Sequence, residues 1–128
     1  MKHVVPCLLF LLLAVGCGQP APTQLSQARD GLTAVLSMTP AAPAAMKPVV
    51  LLLTLRDSDG RAVNDAEVAC DLTMPGMAMP DNKPKLSAEG DGRYRAETVF
   101  TMSGAWRVEA SVSRPSGETV FTFDFEIP

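Results

Sequence analysis

Apolar and polar residues alternate in short runs over most of the chain after Gly31, and this period of two limits the fold more than any other feature. Alternation of this kind is typical of half-buried strands. It predicts strands over residues 32–38, 68–74, 94–100, 106–112 and 121–127. The almost unbroken apolar run at 49–55 predicts a central strand covered on both faces, and a further short strand is predicted around 85–88.

Residues rich in glycine, proline and aspartate separate these runs, so consecutive strands can reverse direction in short turns. No segment needs a helix longer than one turn. The pattern therefore predicts an all-β fold, a single antiparallel immunoglobulin-like β-sandwich of about seven strands.

The N-terminus predicts where the protein is found. Lys2 and His3 precede residues 4–15, which are apolar apart from Pro6, and residues 1–16 are typical of a secretory signal peptide. The apolar run is shorter than the roughly 20 residues that a membrane-spanning helix needs. Residues 13–17, Leu-Ala-Val-Gly-Cys, resemble the bacterial lipobox, so we expect Cys17 to be lipidated and to hold the protein on the membrane of the cell envelope. Ordinary secretion with cleavage nearby is the alternative.

The remaining chain is large enough for one domain. Removing 16 of 128 residues leaves 112, with 10 basic and 14 acidic side chains, since Lys2 is the only basic residue removed. A net charge of about −4 disfavours nucleic acid as a partner. Residues 17–30 contain two prolines and no sustained apolar period, so they are predicted to be a flexible linker ahead of a domain at 31–128.

The cysteines predict no disulfide within the mature chain. Cys7 leaves with the signal peptide and Cys17 is the predicted lipid attachment site, so Cys70 has no partner. Its place in an alternating run predicts a small buried residue of a strand.

The sequence Met-Pro-Gly-Met-Ala-Met-Pro at residues 74–80 is the segment hardest to explain by folding alone. Its prolines and glycine place three thioethers in a loop or at a strand end. Thioethers are soft ligands that suit Cu(I), which predicts a methionine-rich Cu(I) site. The alternative is that flexible methionine side chains simply close an open end of the core.

The order of the strands groups the methionines. If consecutive strands are antiparallel, the loops fall alternately at the two ends of the sandwich. Every methionine after Met1 then lies at or near one end: Met38, Met46, Met74, Met77, Met79 and Met102. The same reasoning brings the linker in at the opposite end, so the methionines are expected to face away from the membrane.

Enzymatic activity is not expected. The only histidine, His3, lies in the signal peptide, so no Ser-His or Cys-His pair is available, and no glycine-rich phosphate loop stands out. The missing imidazole also disfavours Cu(II) and most zinc sites. An extracytoplasmic module that binds a protein through an apolar surface, without metal, is the alternative from another functional class.

Three segments together resemble the YtkA-like and FixH-like domain: residues 71–77, 92–94 and 100–108. The resemblance implies a small extracytoplasmic β-sandwich, often a lipoprotein, associated with copper handling or oxidase assembly. With the thioethers as ligands we expect Cu(I) as the bound metal, and an envelope protein such as a copper exporter, a copper chaperone or an oxidase as the partner. The candidate ligands that the resemblance implies are Met74, Met77, Met79 and Met102.

Many relatives have a histidine where this chain has Ala78 or Met79, which favours Cu(I) over Cu(II) here. Tyr94 and Trp106 are expected in the core, the latter with its indole N–H bonded to an acceptor, and Gly92 and Gly104 are expected to meet backbone needs at turns.

Overall fold

The structure is a computed structural model and describes residues 24–128; the predicted signal peptide and Cys17 lie outside the described residues. The eight strands are β1 Gln24–Arg29, β2 Leu32–Thr39, β3 Pro48–Arg56, β4 Glu67–Thr73, β5 Lys85–Gly90, β6 Arg93–Val99, β7 Gly104–Arg114 and β8 Gly117–Ile127. The all-β prediction is confirmed, with eight strands in place of about seven. Residues 24–128 contain no helix that could span a bilayer.

The strands form two antiparallel sheets that share one strand. The spatial order is β1-β2-β3-β6-β5-β4-β7-β8. The shared strand is β5, because Lys85 and Leu86 pair with β4 while Ser87, Ala88 and Gly90 pair with β6. The short strand predicted near residue 86 is therefore a true reversal of the chain.

Alternate residues of each strand fill the space between the sheets, as the period of two predicts. Leu51, Leu53, Val108 and Phe121 have no measurable exposure, and Cys70 is also buried, as predicted. The apolar run at 49–55 differs from expectation, because only one of its faces is fully buried and the other is half-buried. No layer of helices covers the outer face of this sheet in residues 24–128.

Strand β1 corrects the predicted linker. The sequence Gln-Leu-Ser-Gln-Ala-Arg has almost no apolar period, yet all six residues pair with β2. Polar side chains fix this edge strand against the opposite edge of the sandwich. Arg29 Nη1 donates to the Val120 carbonyl at 3.0 Å, and Gln27 Oε1 accepts from the Thr122 N–H at 2.9 Å. These partners are more than 90 residues away in sequence, so no local pattern shows them.

The loops divide between two ends of the sandwich, as the alternation of strand directions predicts. We call the end formed by loops 40–47, 74–84 and 100–103 the methionine end, and the end formed by loops 30–31, 57–66, 91–92 and 115–116 the turn end. The predicted entry point of the chain is wrong. Gln24 pairs with Ser37, close to the last residue of β2, so the described chain enters at the methionine end and reaches the turn end only after β1.

Candidate metal-binding site

A tight turn opens the methionine loop. The Met77 N–H donates to the Met74 carbonyl at 3.1 Å, with Pro75 and Gly76 between them and Gly76 at φ 81°. Proline followed by a residue of positive φ is the signature of a type II turn. Pro75 and Gly76 therefore form the tight turn by which the chain leaves β4.

Met74 packs inward from this turn. It is 7% exposed and belongs to the core, and its Cε would lie 2.9 Å from a Cβ built on Gly104. Gly104 also has φ 128°, a conformation that side chains rarely adopt, so its predicted backbone role is confirmed. Glycine at this position therefore makes room for the Met74 methyl group.

Hydrogen bonds hold the loop that carries Met102. The Trp106 indole N–H donates to the Met102 carbonyl at 2.9 Å, and the Phe100 carbonyl accepts from the Met46 N–H at 2.7 Å. The ring of Phe100 lies edge-on to Trp106, with centroids 5.1 Å apart, and to Phe125 at 5.4 Å. The core position of Trp106 and its N–H acceptor are as predicted. The backbone at Met102 is thus anchored while its side chain is 42% exposed.

The return half of the loop runs beside β4. The Leu72 N–H donates to the Asn82 carbonyl at 2.9 Å, and the Cys70 N–H donates to the Pro84 carbonyl at 3.0 Å. Met79 is partly buried against the core, whereas Met77 is 49% exposed. Two methionines separated by one residue therefore differ in their access to solvent.

The structure divides the four predicted ligands into two kinds. Met74 and Met79 contact the core, and Met77 and Met102 present their side chains to solvent. Of the other two methionines at this end, Met38 is buried and Met46 is 68% exposed. Met46 was placed at this end by the strand order but not among the ligands. Met46 lies in the loop before β3, and its N–H is bonded to the Phe100 carbonyl. Its exposure therefore depends on contacts between distant residues, which the sequence does not show.

The side chains that most often bind metals in proteins, those of His, Cys, Asp and Glu, do not cluster in the described part of the chain. Among residues 24–128, no group of three or more His, Cys, Asp or Glu side chains could hold a metal ion. Burial raises the pKa of the Cys70 thiol to about 12, which keeps it protonated at neutral pH. Because a thiolate is the form that binds metals, Cys70 is a poor ligand. The thioethers remain as the soft donors.

A shallow groove of about 330 Å³ lies beside the turn, lined in part by Pro75, Trp106 and Phe125. Arg107 and Asp124 border it, with Nε to Oδ1 at 2.7 Å and Nη2 to Oδ2 at 3.2 Å. The hydrogen bond from Arg107 lowers the pKa of Asp124, and the same bond raises the pKa of Arg107. The Asp124 carboxylate is therefore already paired with the Arg107 side chain.

Comparison with known proteins agrees with the architecture. A sequence model described as YtkA-like matches residues 26–111, which is about two thirds of the chain. The chain belongs to the YtkA-like family. The matched range begins within β1 and includes Met74, Met77, Met79 and Met102. A search of curated proteins finds no match to this YtkA-like chain.

Two solved structures are similar to this YtkA-like protein. An engineered protein solved at 1.98 Å has a TM-score of 0.50 at 19% identity, over 71% of this chain and 19% of its own. This chain therefore spans about a fifth of that protein, and the similarity concerns the fold alone. The GAE domain of GGA2p from Saccharomyces cerevisiae has a TM-score of 0.40 at 11% identity, over 84% of this chain and 98% of its own.

Proposed function

We propose that this YtkA-like protein is a membrane-anchored lipoprotein of the bacterial cell envelope that binds Cu(I) through its methionine end. In this proposal it passes the ion to, or receives it from, an envelope protein such as a copper exporter, a copper chaperone or an oxidase. The ligands are drawn from Met74, Met77, Met79 and Met102. Cys17 is the proposed site of lipidation.

One observation carries the metal part of the proposal. All six methionines of residues 24–128 lie at one end of the sandwich, and three of them are exposed: Met46, Met77 and Met102. A methionine that serves only packing has no reason to be exposed. A soft ion that must be handed on needs ligands that solvent and a partner can reach, and a neutral thioether needs no deprotonation to bind it.

The two kinds of methionine suggest different roles. Met77 and Met102 are accessible and can meet an incoming ion, whereas Met74 and Met79, in the same loop as Met77, pack against the core. The anchored backbone at residue 102 and the turn at 74–77 limit how far the exposed pair can move. A thioether site of this kind is open on one side, which favours exchange over permanent retention.

The test is an anaerobic Cu(I) titration of residues 18–128 against a chromogenic competitor. We expect retention of about one Cu(I) per chain, strongly weakened in the Met77→Leu/Met102→Leu variant. Leucine keeps the apolar volume and removes the sulfur, so folding is preserved. Met38→Leu makes the same change at a buried methionine of the same end and serves as the control. Equal Cu(I) retention by the double variant and the unmodified chain would contradict the proposal.

A protein-interaction module without metal is the second candidate function, and Val99 favours it. Val99 is 37% exposed at the end of β6, where the loop that carries Met102 begins, and has no atom that binds metal. Adaptable methionine surfaces also serve protein contacts. Under this alternative, partner capture survives both Cu(I) chelation and the methionine-to-leucine changes, but is lost in a Met77→Asp/Met102→Asp variant.

A further inference from the structure

The large exposed hydrophobic side chains of residues 24–128 all lie at one end of the sandwich. Four large hydrophobic residues of residues 24–128 are exposed: Met46, Met77, Val99 and Met102. All four lie in the loops of the methionine end or directly beside them. We call these four residues the apolar patch.

The two ends also differ in charge. The loops of the turn end carry one arginine and five aspartates, a formal charge of −4: Arg61, Asp30, Asp57, Asp59, Asp65 and Asp91. The loops of the methionine end carry two lysines and one aspartate, a formal charge of +1: Lys47, Lys83 and Asp81. Four arginines adjoin the loops of the turn end and offset most of their negative charge: Arg29, Arg56, Arg93 and Arg114. Anionic lipid headgroups therefore favour the methionine end only weakly.

The chain enters the domain on the same side as the patch. Gln24 pairs with Ser37 near the last residue of β2, and six residue steps of about 3.3 Å separate Gln24 from the turn at Asp30, or about 20 Å. An anchor at Cys17 is seven residue steps before Gln24, which span at most about 25 Å even when fully extended. To put the turn end on the bilayer, the segment between Cys17 and Gln24 would have to run back along the whole length of β1. That path would use about 20 Å of the roughly 25 Å that the segment can span.

We infer that the methionine end faces the bilayer, with the apolar patch resting on the headgroup region of anionic lipids. The inference uses the membrane anchoring in the proposed function but not the copper binding. Entry point, exposed apolar area and charge each favour the same orientation. Thioethers and a branched aliphatic side chain gain from partial burial at a lipid interface, since their exposed apolar area leaves water. Copper ligands in this position would exchange ions at the membrane surface.

The experiment uses the full chain, processed in bacteria and reconstituted into vesicles of phosphatidylethanolamine and phosphatidylglycerol. An environment-sensitive fluorophore is attached in a Met77→Cys variant and, as the matched control, in a Ser116→Cys variant at the turn end. Both positions are exposed, and Cys70 is buried with its thiol protonated, so it escapes labelling. The unmodified chain controls for labelling at any other cysteine. Lipids with a nitroxide at the headgroup depth act as the quencher.

We expect several-fold stronger quenching and a blue-shifted emission at position 77 compared with position 116, without metal present. Equal quenching, stronger quenching at position 116, or no quenching at either position overturns the inference. Co-sedimentation with the vesicles is measured on the same samples, and its absence overturns the anchoring and, with it, the inferred orientation. Because no copper is added, a failed Cu(I) titration and a failed orientation remain separate results.

Discussion

The two ends of the sandwich are stabilised in different ways. At the turn end, polar side chains fix the loops. Asp57 Oδ1 accepts from the N–H groups of Asp59 and Arg61, both at 2.9 Å, and Asn64 Oδ1 accepts from the Gly92 N–H at 2.7 Å. Such side-chain acceptors define a turn without any apolar packing. Polar side chains thus specify the conformation of this end, and most of its loop aspartates are exposed to solvent.

The methionine end is held by its backbone and by aromatic packing instead. Its loops are tied through the Met46 N–H to Phe100 and through Trp106 to the Met102 carbonyl. These bonds use main-chain groups of the methionine residues and leave their side chains without polar partners. The fold therefore separates two tasks: polar side chains fix the conformation of the turn end, and the methionine end presents soft, apolar side chains from an anchored backbone.

The largest effect is expected at the turn end, from Gly92→Ala. Gly92 has φ 73°, and an added Cβ would collide with the Leu55 carbonyl, a backbone atom that cannot move aside. We expect a loss of more than about 3 kcal/mol in the free energy of unfolding, measured with denaturant. Gly60→Ala is the matched control, because Gly60 has φ 78° in the same end but open space around it. Its cost should be about 1 kcal/mol. Equal costs would show that the turn end is not tightly specified.

Substituting single methionines tests whether the methionine end really contains two kinds of side chain. Met74→Ala removes a buried side chain and should cost about 2–4 kcal/mol through lost burial and a cavity beside Gly104. Met77→Ala, three residues later, should change the free energy of unfolding by less than about 0.5 kcal/mol, since its side chain is exposed. Thermal or denaturant unfolding of both variants measures the difference. A large loss in the Met77 variant would show that this side chain serves packing.

Tyr94→Phe tests whether a buried side-chain hydrogen bond also stabilises the turn end. The Tyr94 hydroxyl donates to the Val63 carbonyl at 2.8 Å and accepts from the Ala66 N–H at 3.2 Å. Phenylalanine leaves both backbone groups without this partner, and we expect a loss of about 1–2 kcal/mol. Ser103→Ala removes an exposed hydrogen bond to the Pro128 carbonyl at the methionine end and should cost less than about 0.5 kcal/mol. The reverse order of the two losses would show that side-chain hydrogen bonds stabilise the methionine end more than the turn end.

The smallest effect is expected from the exposed ion pair between Arg107 and Asp124, which borders the groove beside the turn at residues 74–77. Both side chains are exposed, so solvent screens their attraction and Asp124→Asn should hardly alter stability at neutral pH. The pKa of Asp124 is lowered in the folded state, so its contribution is present above the unfolded pKa of about 4 and is lost as the pH falls through the folded value. The difference between the unfolding midpoints at neutral pH and near pH 3 should therefore be slightly smaller in the variant than in the unmodified chain. A larger loss of stability on acidification in Asp124→Asn than in the unmodified chain would contradict this prediction.

Much of the sandwich could be predicted because its signal is local. The strands β2, β4, β6, β7 and β8 follow runs whose alternate residues are apolar, and the buried positions Cys70, Tyr94 and Trp106 follow from them. The grouping of the methionines at one end was predicted from strand order alone, since antiparallel neighbours must reverse the chain. The candidate ligands themselves stay a prediction.

The missed features depend on contacts between distant residues. The edge strand β1 lacks an apolar period, and its hydrogen bonds to β8 come from the polar side chains of Gln27 and Arg29. Missing that one strand reversed the predicted entry point of the chain, and with it the expected direction of the methionine end. The separation of Met77 from Met79 in burial also depends on how the loop folds back beside β4, which spacing in the sequence cannot show.

The sequence by itself determined the all-β class, the alternating core and the turn at Pro75 and Gly76, because these follow from side-chain period and allowed backbone angles within a few residues. Only the tertiary structure decided which methionines are exposed and from which end the chain enters. Those properties depend on hydrogen bonds and packing between segments far apart in sequence, such as Arg29 with Val120 and Met74 with Gly104.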